Sequence, residues 1–535
     1  MPSIVQPEYF VTPQPSAQPM TGLPPELPVK ILDQKSDDWT LYHVAWDHMH
    51  WLYVGGAEIE AVAEQFLRRK AKELSDVYQA RVEQFRYQNH VGTSVDWYLA
   101  AMFEQPIRVE LKLDNGKPGK LNDADNKFYD EFGDNADRAQ TPTVEVWRRF
   151  FRNLLIYGRS AILVDLPVPN GEYHSLGEQQ AAGVLDPFLV SWDSRQMINY
   201  SCDDYGALDW VMFSARRTET KPLQEKKIYD YWYYYDRTQC AVYRREVPTG
   251  EKSSPDGAMA ERIHNGPHAL TDKNIVPIVY REVPEGLWLM NRAFSPAKDH
   301  LNTDNALGFA LYMAALSMPV IKMDGEYTLS LSEAGYIKLP RESDFSWSEP
   351  EGKSFTHLAD RLDHLRESIF RSFYLLYQAR NTQATPAAQS GLSKQMDMTA
   401  SKKVMNLFGD MMRNVVQHIY DMVSSARGDT LDWDVRGLEF PEGPPNEVID
   451  IAAGVQALDI QSDTLDREIA KMVVLEVLTD AGEELIHRIN QEIDSGPSKS
   501  ERDAAQQANV QQAQKDTSSV INSDIAKSAF PRGSV

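Results

Sequence analysis

Residues 356–380 read THLADRLDHLRESIFRSFYLLYQAR, residues 381–391 read NTQATPAAQSG, and residues 392–426 read LSKQMDMTASKKVMNLFGDMMRNVVQHIYDMVSSA. Apolar residues recur at helical spacing from Leu358 to Leu376 and again from Val404 to Met422, which predicts two amphipathic helices. The second helix would be ~50 Å long if it is continuous. The segment between them has no charge and no large apolar group, so it cannot bury surface and is predicted to be an exposed loop.

A third helix is predicted upstream, at residues 295–317. Ser295 can cap it with Pro296 in the first turn, and Pro319 prevents further helix. Between these helices, short strand candidates at 327–331, 335–339 and 345–347 are separated by Gly, Pro and Asp. After the long helix, residues 431–440 are strand-like and two or three shorter helices are predicted within 446–494.

The N-terminal half combines helices with a β region. Helices are predicted over 57–88, 91–103 and 144–157, with a loop at 114–126, and the run of Arg68, Arg69, Lys70 and Lys72 is interpreted as a solvated helix face. Strands are predicted at 160–164, 188–192, 209–215, 228–235, 241–245 and 275–280. Together these elements predict an α+β fold. The proline-rich residues 1 to about 38 are predicted to form an extended arm, and the polar residues after 496 a mobile tail.

Composition limits the function classes. The chain has 535 residues, 42% of them hydrophobic, which suggests three or four lobes at ~100 to 200 residues each. The net charge of −23 disfavours tight non-specific binding to phosphates. Two cysteines, Cys202 and Cys240, are too few for a disulfide framework and typical of a reducing compartment. No signal peptide is visible, and the longest apolar run, 306–321, is shorter than the ~20 residues that cross a bilayer, so we expect an intracellular protein without a membrane anchor.

The motifs of the common enzyme classes are absent from the sequence. It contains no G-x-x-x-x-G-K-[ST] loop for nucleotide phosphates, no G-x-S-x-G elbow, no H-E-x-x-H helix and no G-x-G-x-x-G turn. We therefore expect no catalytic site, no cofactor and no metal.

Three histidine groups have alternative interpretations. His43, Asp47, His48 and His50 could hold a metal, although an ordinary amphipathic element is favoured. His357, Asp360 and His364 also have ligand-like spacing, but Arg361 and Arg371 on the same face would repel a cation. The pairs Glu261 with His264 and Glu484 with His487 have the spacing of di-iron bundles, yet the first lies where a long helix is implausible.

The order of these segments resembles that of the portal proteins of tailed bacteriophages. Four stretches also resemble the local sequence of portal proteins: WRRFFRNLLIYGRSAILVDLP (147–167), IVPIVYRE (275–282), SPAKDHLNTDNALGFALYMAALSMPVI (295–321) and QSGLSKQMDMTASKKV (389–404). The resemblance covers roughly residues 41–426. None of these stretches is a catalytic signature.

The resemblance implies a portal-like architecture of wing, stem, clip and crown, with long helices around a central channel and an antiparallel β region in the wing. The implied segments are an N-terminal arm (1–40), the wing (41–296), stem helix 1 (297–317), the clip (318–354), stem helix 2 (355–380), a tunnel loop (381–391), a long wing helix with a return strand (392–442), a helical crown (443–495) and a polar tail (496–535).

The resemblance also implies a ring, typically of twelve subunits, at one capsid vertex of the virion, assembled in the host cytoplasm. Its implied partners are the terminase, head–tail adaptor and tail proteins, the major capsid or scaffold protein, and double-stranded DNA in transient contact. The expected DNA-contacting loop residues are Asn381, Thr382, Gln383, Thr385, Gln389 and Ser390. The expected channel face of stem helix 2 carries His357, Arg361, His364 and Arg371. An equal alternative is that these residues pair between subunits and that Glu367 pairs with Arg371 within the helix. Glu349 and Glu351 of the clip are expected to meet a partner.

Two other functions remain open at this stage. Another phage head–tail component would share the lack of motifs without forming a closed ring. An enzyme that uses scattered carboxylates and histidines would need a pocket in which several titratable groups converge.

Overall fold

The computed structural model describes residues 22–69, 71–104, 106–114, 117–118, 123–167, 175–220, 222, 225–248, 257–284, 286–315, 318–322, 344–348, 353–375, 391–438, 440, 467, 470–471 and 483–495. The chain divides into two compact units, the first comprising Met1–Pro106 and Asn122–Leu431 and the second Ile107–Leu121 and Asp432–Val535. Helices and antiparallel sheets are both present, which confirms the predicted α+β class.

The elements are numbered here in chain order. The helices are α1 (Val29–Leu32), α2 (Asp37–Val54), α3 (Gly56–Glu60), α4 (Ala63–Phe66), α5 (Ser75–Glu83), α6 (His90–Met102), α7 (Asp123–Asp134), α8 (Thr143–Tyr157), α9 (Leu176–Ala181), α10 (Leu289–Ala315), α11 (Lys353–Ser372), α12 (Gly391–Arg427) and α13 (Glu483–Ser495). The strands are β1 (Glu26–Pro28), β2 (Arg108–Leu111), β3 (Leu113–Asp114), β4 (Lys117–Pro118), β5 (Arg159–Asp165), β6 (Phe188–Trp192), β7 (Met197–Cys202), β8 (Leu208–Glu219), β9 (Lys227–Asp236), β10 (Cys240–Val247), β11 (Met259–Gly266), β12 (Ile278–Glu282), β13 (Met318–Lys322), β14 (Asp344–Ser348) and β15 (Trp433–Arg436).

A six-stranded antiparallel sheet forms the β region of the first unit, in the order β1-β11-β10-β9-β8-β7. Alternate residues of a strand point to opposite sides of the sheet, and an apolar cluster packs on each side of this one. Trp192 stacks on Phe213 on one face, with ring centroids 4.5 Å apart. On the other face Trp232 packs in a core that also holds Val29 and Leu32. The β strands predicted at 188–192, 209–215, 228–235 and 241–245 are confirmed, whereas β7 and β11 were missed.

The N-terminal segment corrects one prediction. Residues up to about 38 were expected to form an extended arm, yet β1 pairs with β11 and α1 packs against the sheet. Val29 and Leu32 are buried, so the ordered body of the chain begins before residue 38. Residues 1–21 lie outside the described part.

A second sheet, β12-β5-β6, packs against α8. The helix predicted at 144–157 and the strand at 160–164 are both confirmed. Gly158 joins them with φ +74°, and a Cβ there would lie 2.8 Å from the Trp288 ring, so both backbone and space require glycine.

The predicted long helix over 57–88 is wrong. The chain instead forms α3, α4 and α5, separated by loops. Arg81 is buried, pairs with Glu73 at 2.8 Å and donates to the carbonyl oxygen of Arg68 at 2.9 Å. These contacts fold residues 67–69 and 71–74 back without helix, so the described members of the basic run lie in a loop and not on a helix face.

The predicted start of α10 and the predicted end of α11 also need correction. The helix expected to start at Ser295 begins at Leu289, because Leu289 and Met290 are buried and packing extends it upstream, which places Pro296 inside it. Helix α11 ends at Ser372 and not at residue 380, since Tyr374 adopts φ +57° and the chain turns there. Of the predicted clip strands, β14 confirms 345–347, β13 was missed, and 327–331 and 335–339 lie outside the described residues.

The long helix predicted at 392–426 is confirmed as α12, which has 37 residues and ends at Arg427, and the next residue, Gly428, has φ +82°. The expected loop at 114–126 overlaps the start of α7, because Phe128, Tyr129 and Phe132 give that segment a buried face. Strands predicted at 275–280 and 431–440 correspond to β12 and β15.

The second unit contains the β15-β2 and β3-β4 pairs and α13. Helix α13 lies within the region predicted to hold short helices, and most of 443–482 and the tail after 495 lie outside the described residues. Among the helices that the structure describes, none combines the length and apolar character needed to cross a bilayer.

Candidate functional site

Helices α10 and α11 pack against each other in antiparallel fashion. The start of α10 lies beside the end of α11, where the Arg292 Nη1 donates to the Tyr374 Oη at 2.8 Å. Leu365, Ile369 and Phe370 bury the inner face of α11. The apolar stripe that predicted this helix is therefore its packing face.

The side of α11 next to this packing face carries the predicted basic residues. His357, Arg361, His364 and Arg371 are all exposed. Spacings of three, four and seven residues place them on one side of a helix. The structure thus brings these four residues together on one exposed surface.

A groove of about 400 Å³ lies between the two helices. Arg361, His364 and Arg371 line it from α11, and Ser295 and Asp299 line it from α10. His357 is not part of this lining. The two α10 residues were missed by the sequence reasoning, because only the antiparallel pairing of the helices brings them to the groove.

The guanidinium groups of the groove have available donors. Within the part of the chain that the structure describes, neither the Arg361 nor the Arg371 guanidinium forms an ion pair or a hydrogen bond, and the alternative Glu367–Arg371 pair is not formed. Guanidinium groups bind carboxylate or phosphate oxygens through paired donors. Asp299 and Glu367 also line the groove, so two carboxylates balance its two guanidinium groups. Such a surface can contact an anion without holding a polyanion tightly.

The other predicted site residues fall outside the described part of the chain. This applies to Asn381, Thr382, Gln383, Thr385, Gln389 and Ser390 of the loop and to Glu349 and Glu351 of the clip. The structure shows only that residues 376–390 connect the end of the α11 segment to α12.

The histidine group of α2 is dispersed among separate partners. His43 stacks on Trp39 at 4.3 Å, His48 Nδ1 lies 2.7 Å from the Val44 carbonyl oxygen, and His50 Nδ1 lies 3.0 Å from the Tyr157 Oη. Burial and the nearby Arg195 lower the pKa of His50 to about 4. Asp47 instead pairs with Arg195 at 3.1 Å.

Members of the two Glu-x-x-His pairs have other partners. Glu261 lies on strand β11 and pairs with Arg244 at 2.7 Å. His487 lies 3.0 Å from Gln491 on α13. Across the described residues, no three His, Cys, Asp or Glu side chains are grouped so that they could hold a metal. Cys202 and Cys240 are both free thiols.

No family model and no curated protein matches this chain. Among solved structures, it is similar to the neck of an empty gene transfer agent particle computed with C6 symmetry, at 12% identity and a TM-score of 0.39, over 75% of this chain and 95% of that chain. It is also similar to the virion of a native gene transfer agent particle, at 10% identity and a TM-score of 0.37, over 77% of this chain and 98% of that chain.

Proposed function

We propose that this chain is a portal protein, a ring-forming structural subunit at one capsid vertex of a tailed-phage particle. In this proposal the ring is the conduit for double-stranded DNA during packaging and ejection. The observation that carries it is the antiparallel pair α10–α11, joined through residues 376–390 to the 37-residue helix α12. This is the order of stem, tunnel loop and long wing helix that the sequence resemblance implies.

The proposed contact with DNA depends on weak interactions. Duplex DNA carries one negative charge per ~1.7 Å of axis, so a wall rich in lysine would hold it. The exposed face of α11 offers Arg361 and Arg371 beside Asp299 and Glu367, a balanced set that can guide a duplex without anchoring it. The uncharged loop at 381–391 supplies amides and hydroxyls for passing phosphates.

The partners follow from the same proposal. The ring has twelve subunits, and it binds the terminase during packaging and the head–tail adaptor and tail proteins afterwards. Major capsid or scaffold protein surrounds it, and the clip acids Glu349 and Glu351 contribute to the docking surface. The protein assembles in the host cytoplasm and remains in the virion.

Two variants test the role in DNA passage. Deletion of Thr382–Ser390 should leave ring assembly intact and reduce the yield of DNA-filled particles, because the duplex loses its sliding surface. The double substitution Arg361→Gln with Arg371→Gln should also reduce packaging, whereas Arg148→Gln, an exposed arginine of α8, serves as the matched control. A normal yield of DNA-filled particles from both the deletion and the double variant would refute the proposed role.

A further inference from the structure

Two histidines meet where the helix pair α10–α11 contacts α6. His90 is the first residue of α6 and His300 lies in α10, and their ring centroids are 5.0 Å apart in an edge-to-face arrangement. Phe370 of α11 lies 5.7 Å from the His90 ring. His300 is 4% exposed, and the buried Nε2 of His90 has no hydrogen-bond partner among the described residues. The His300 imidazole is therefore buried, and the His90 imidazole packs against it with its Nε2 out of contact with solvent.

The contact between these helices depends on few polar bonds. Asn305 of α10 accepts from the Arg86 backbone N–H at 3.0 Å and donates to the Arg86 carbonyl oxygen at 2.8 Å. The Gln88 amide donates to Asp304 at 3.3 Å. These three bonds join α10 to the segment just before His90, next to the histidine pair.

The surroundings disfavour a positive charge on either ring. Each histidine faces the other, and Arg366 of α11 lies near both, held at 3.3 Å from Asp363. His90 also lies at the N-terminus of α6, where the helix dipole repels cations. Asp304 is the opposing group on α10, but burial raises its own pKa. Arg86 is the remaining cation beside Asp304.

Burial is the main reason that the pKa of His90 is lowered to about 4, and the nearby His300 and Arg366 lower it further. Burial is likewise the main reason that the pKa of His300 is lowered to about 4, and Arg366 adds to this effect. Both values lie below the ordinary value of 6.5, so the unfolded or opened junction binds protons more tightly than the closed one. The stability that the packed neutral imidazoles give to the closed junction is fully present above pH 6.5 and is lost as the pH falls from 6.5 towards 4.

We propose that the His90–His300 pair is a proton-operated latch that seats the helix pair α10–α11 on α6. With both rings neutral the junction is closed. Entry of one proton places a buried charge against the second imidazole and Arg366, and α6 separates from α10 and α11. The latch does not depend on the proposed ring function, since it concerns contacts within one chain.

The test uses the full chain. Exchange of the imidazole C2 hydrogen, followed by mass spectrometry over a pH series, gives the titration of each histidine in the wild-type protein. Amide hydrogen exchange, corrected for its intrinsic pH dependence, should accelerate in residues 90–102, 289–315 and 353–372 by on the order of tenfold per unit of pH below 6.5 for each histidine involved.

His300→Gln removes one titrating ring and should weaken this acceleration, and His357→Gln, which changes an exposed histidine of α11, should leave it unchanged. The proposal is overturned if His90 or His300 titrates at its ordinary value, or if the acid-dependent exchange of these helices is the same in His300→Gln as in wild type. If His300→Gln fails to fold, the wild-type titration and exchange profile still decide: low titration of both rings with no acid-dependent opening overturns the latch.

Discussion

The Tyr98 hydroxyl of α6 donates a 2.6 Å hydrogen bond to the carbonyl oxygen of Phe373, just beyond the end of α11. Both side chains are fully buried. The Ser401 hydroxyl donates to the next carbonyl oxygen, that of Tyr374, at 2.5 Å. These two bonds satisfy the carbonyl groups of the first two residues after α11, so neither is left without a donor where the chain turns.

Tyr98→Phe should therefore destabilise the protein. The substitution leaves the buried Phe373 carbonyl without its donor, at a cost of ~1–3 kcal/mol. We expect a lower Tm and faster amide exchange near residue 373. Tyr205→Phe makes the same chemical change at a side chain that is 96% exposed and should not alter the Tm. Equal melting of Tyr98→Phe and wild type would contradict this account of the turn.

Arg159 should be among the most sensitive positions of the first unit. Its side chain is 3% exposed, pairs with Asp38 and donates to the carbonyl oxygens of Ser194 at 3.1 Å and Met197 at 2.8 Å. Arg159→Ala should cost roughly 3 kcal/mol, because it removes one partner of a buried ionic group. Denaturant unfolding measures the loss. Arg148→Ala, at an arginine that is 47% exposed, is the control, and similar midpoints for the two variants would show that the Arg159 contacts stabilise little.

Asp165→Asn should stabilise the protein at neutral pH. Burial raises the pKa of Asp165 from 3.8 to about 6, so the folded state favours the protonated acid and loses this stability as the pH rises through 6. The amide removes the cost of a buried charge, and its oxygen can still accept from the Leu166 N–H. We expect a gain of up to about 2 kcal/mol above pH 6 that disappears below pH 3.8. Melting curves over pH check this, with Asp204→Asn as an exposed control; a gain that persists in acid contradicts it.

The fold class and the strongly periodic elements could be predicted from the sequence. Helix α12 and the central strands β8, β9 and β10 have clear periodicity, and their own residues determine it. The failures occurred where tertiary contacts override local pattern. The segment after Phe66 has helical spacing, yet buried Arg81 folds it into loops through Glu73 and Arg68. Pro296 predicts a helix that starts beside it, but the helix begins at Leu289 because that residue is buried.

The candidate site was predictable only in part. The spacing of Arg361, His364 and Arg371 was sufficient to place them on one helix face. Asp299 could not be assigned to the same groove, because its position depends on how α10 packs against α11. The histidine latch was not predictable at all, since His90 and His300 are 210 positions apart and carry no motif.

The central claim is that copies of this chain close into a ring around a channel. Electron microscopy of the purified full-length chain tests it most directly. We predict closed rings of twelve subunits with a central hole wide enough for duplex DNA. A population of single chains without a hole would contradict the claim.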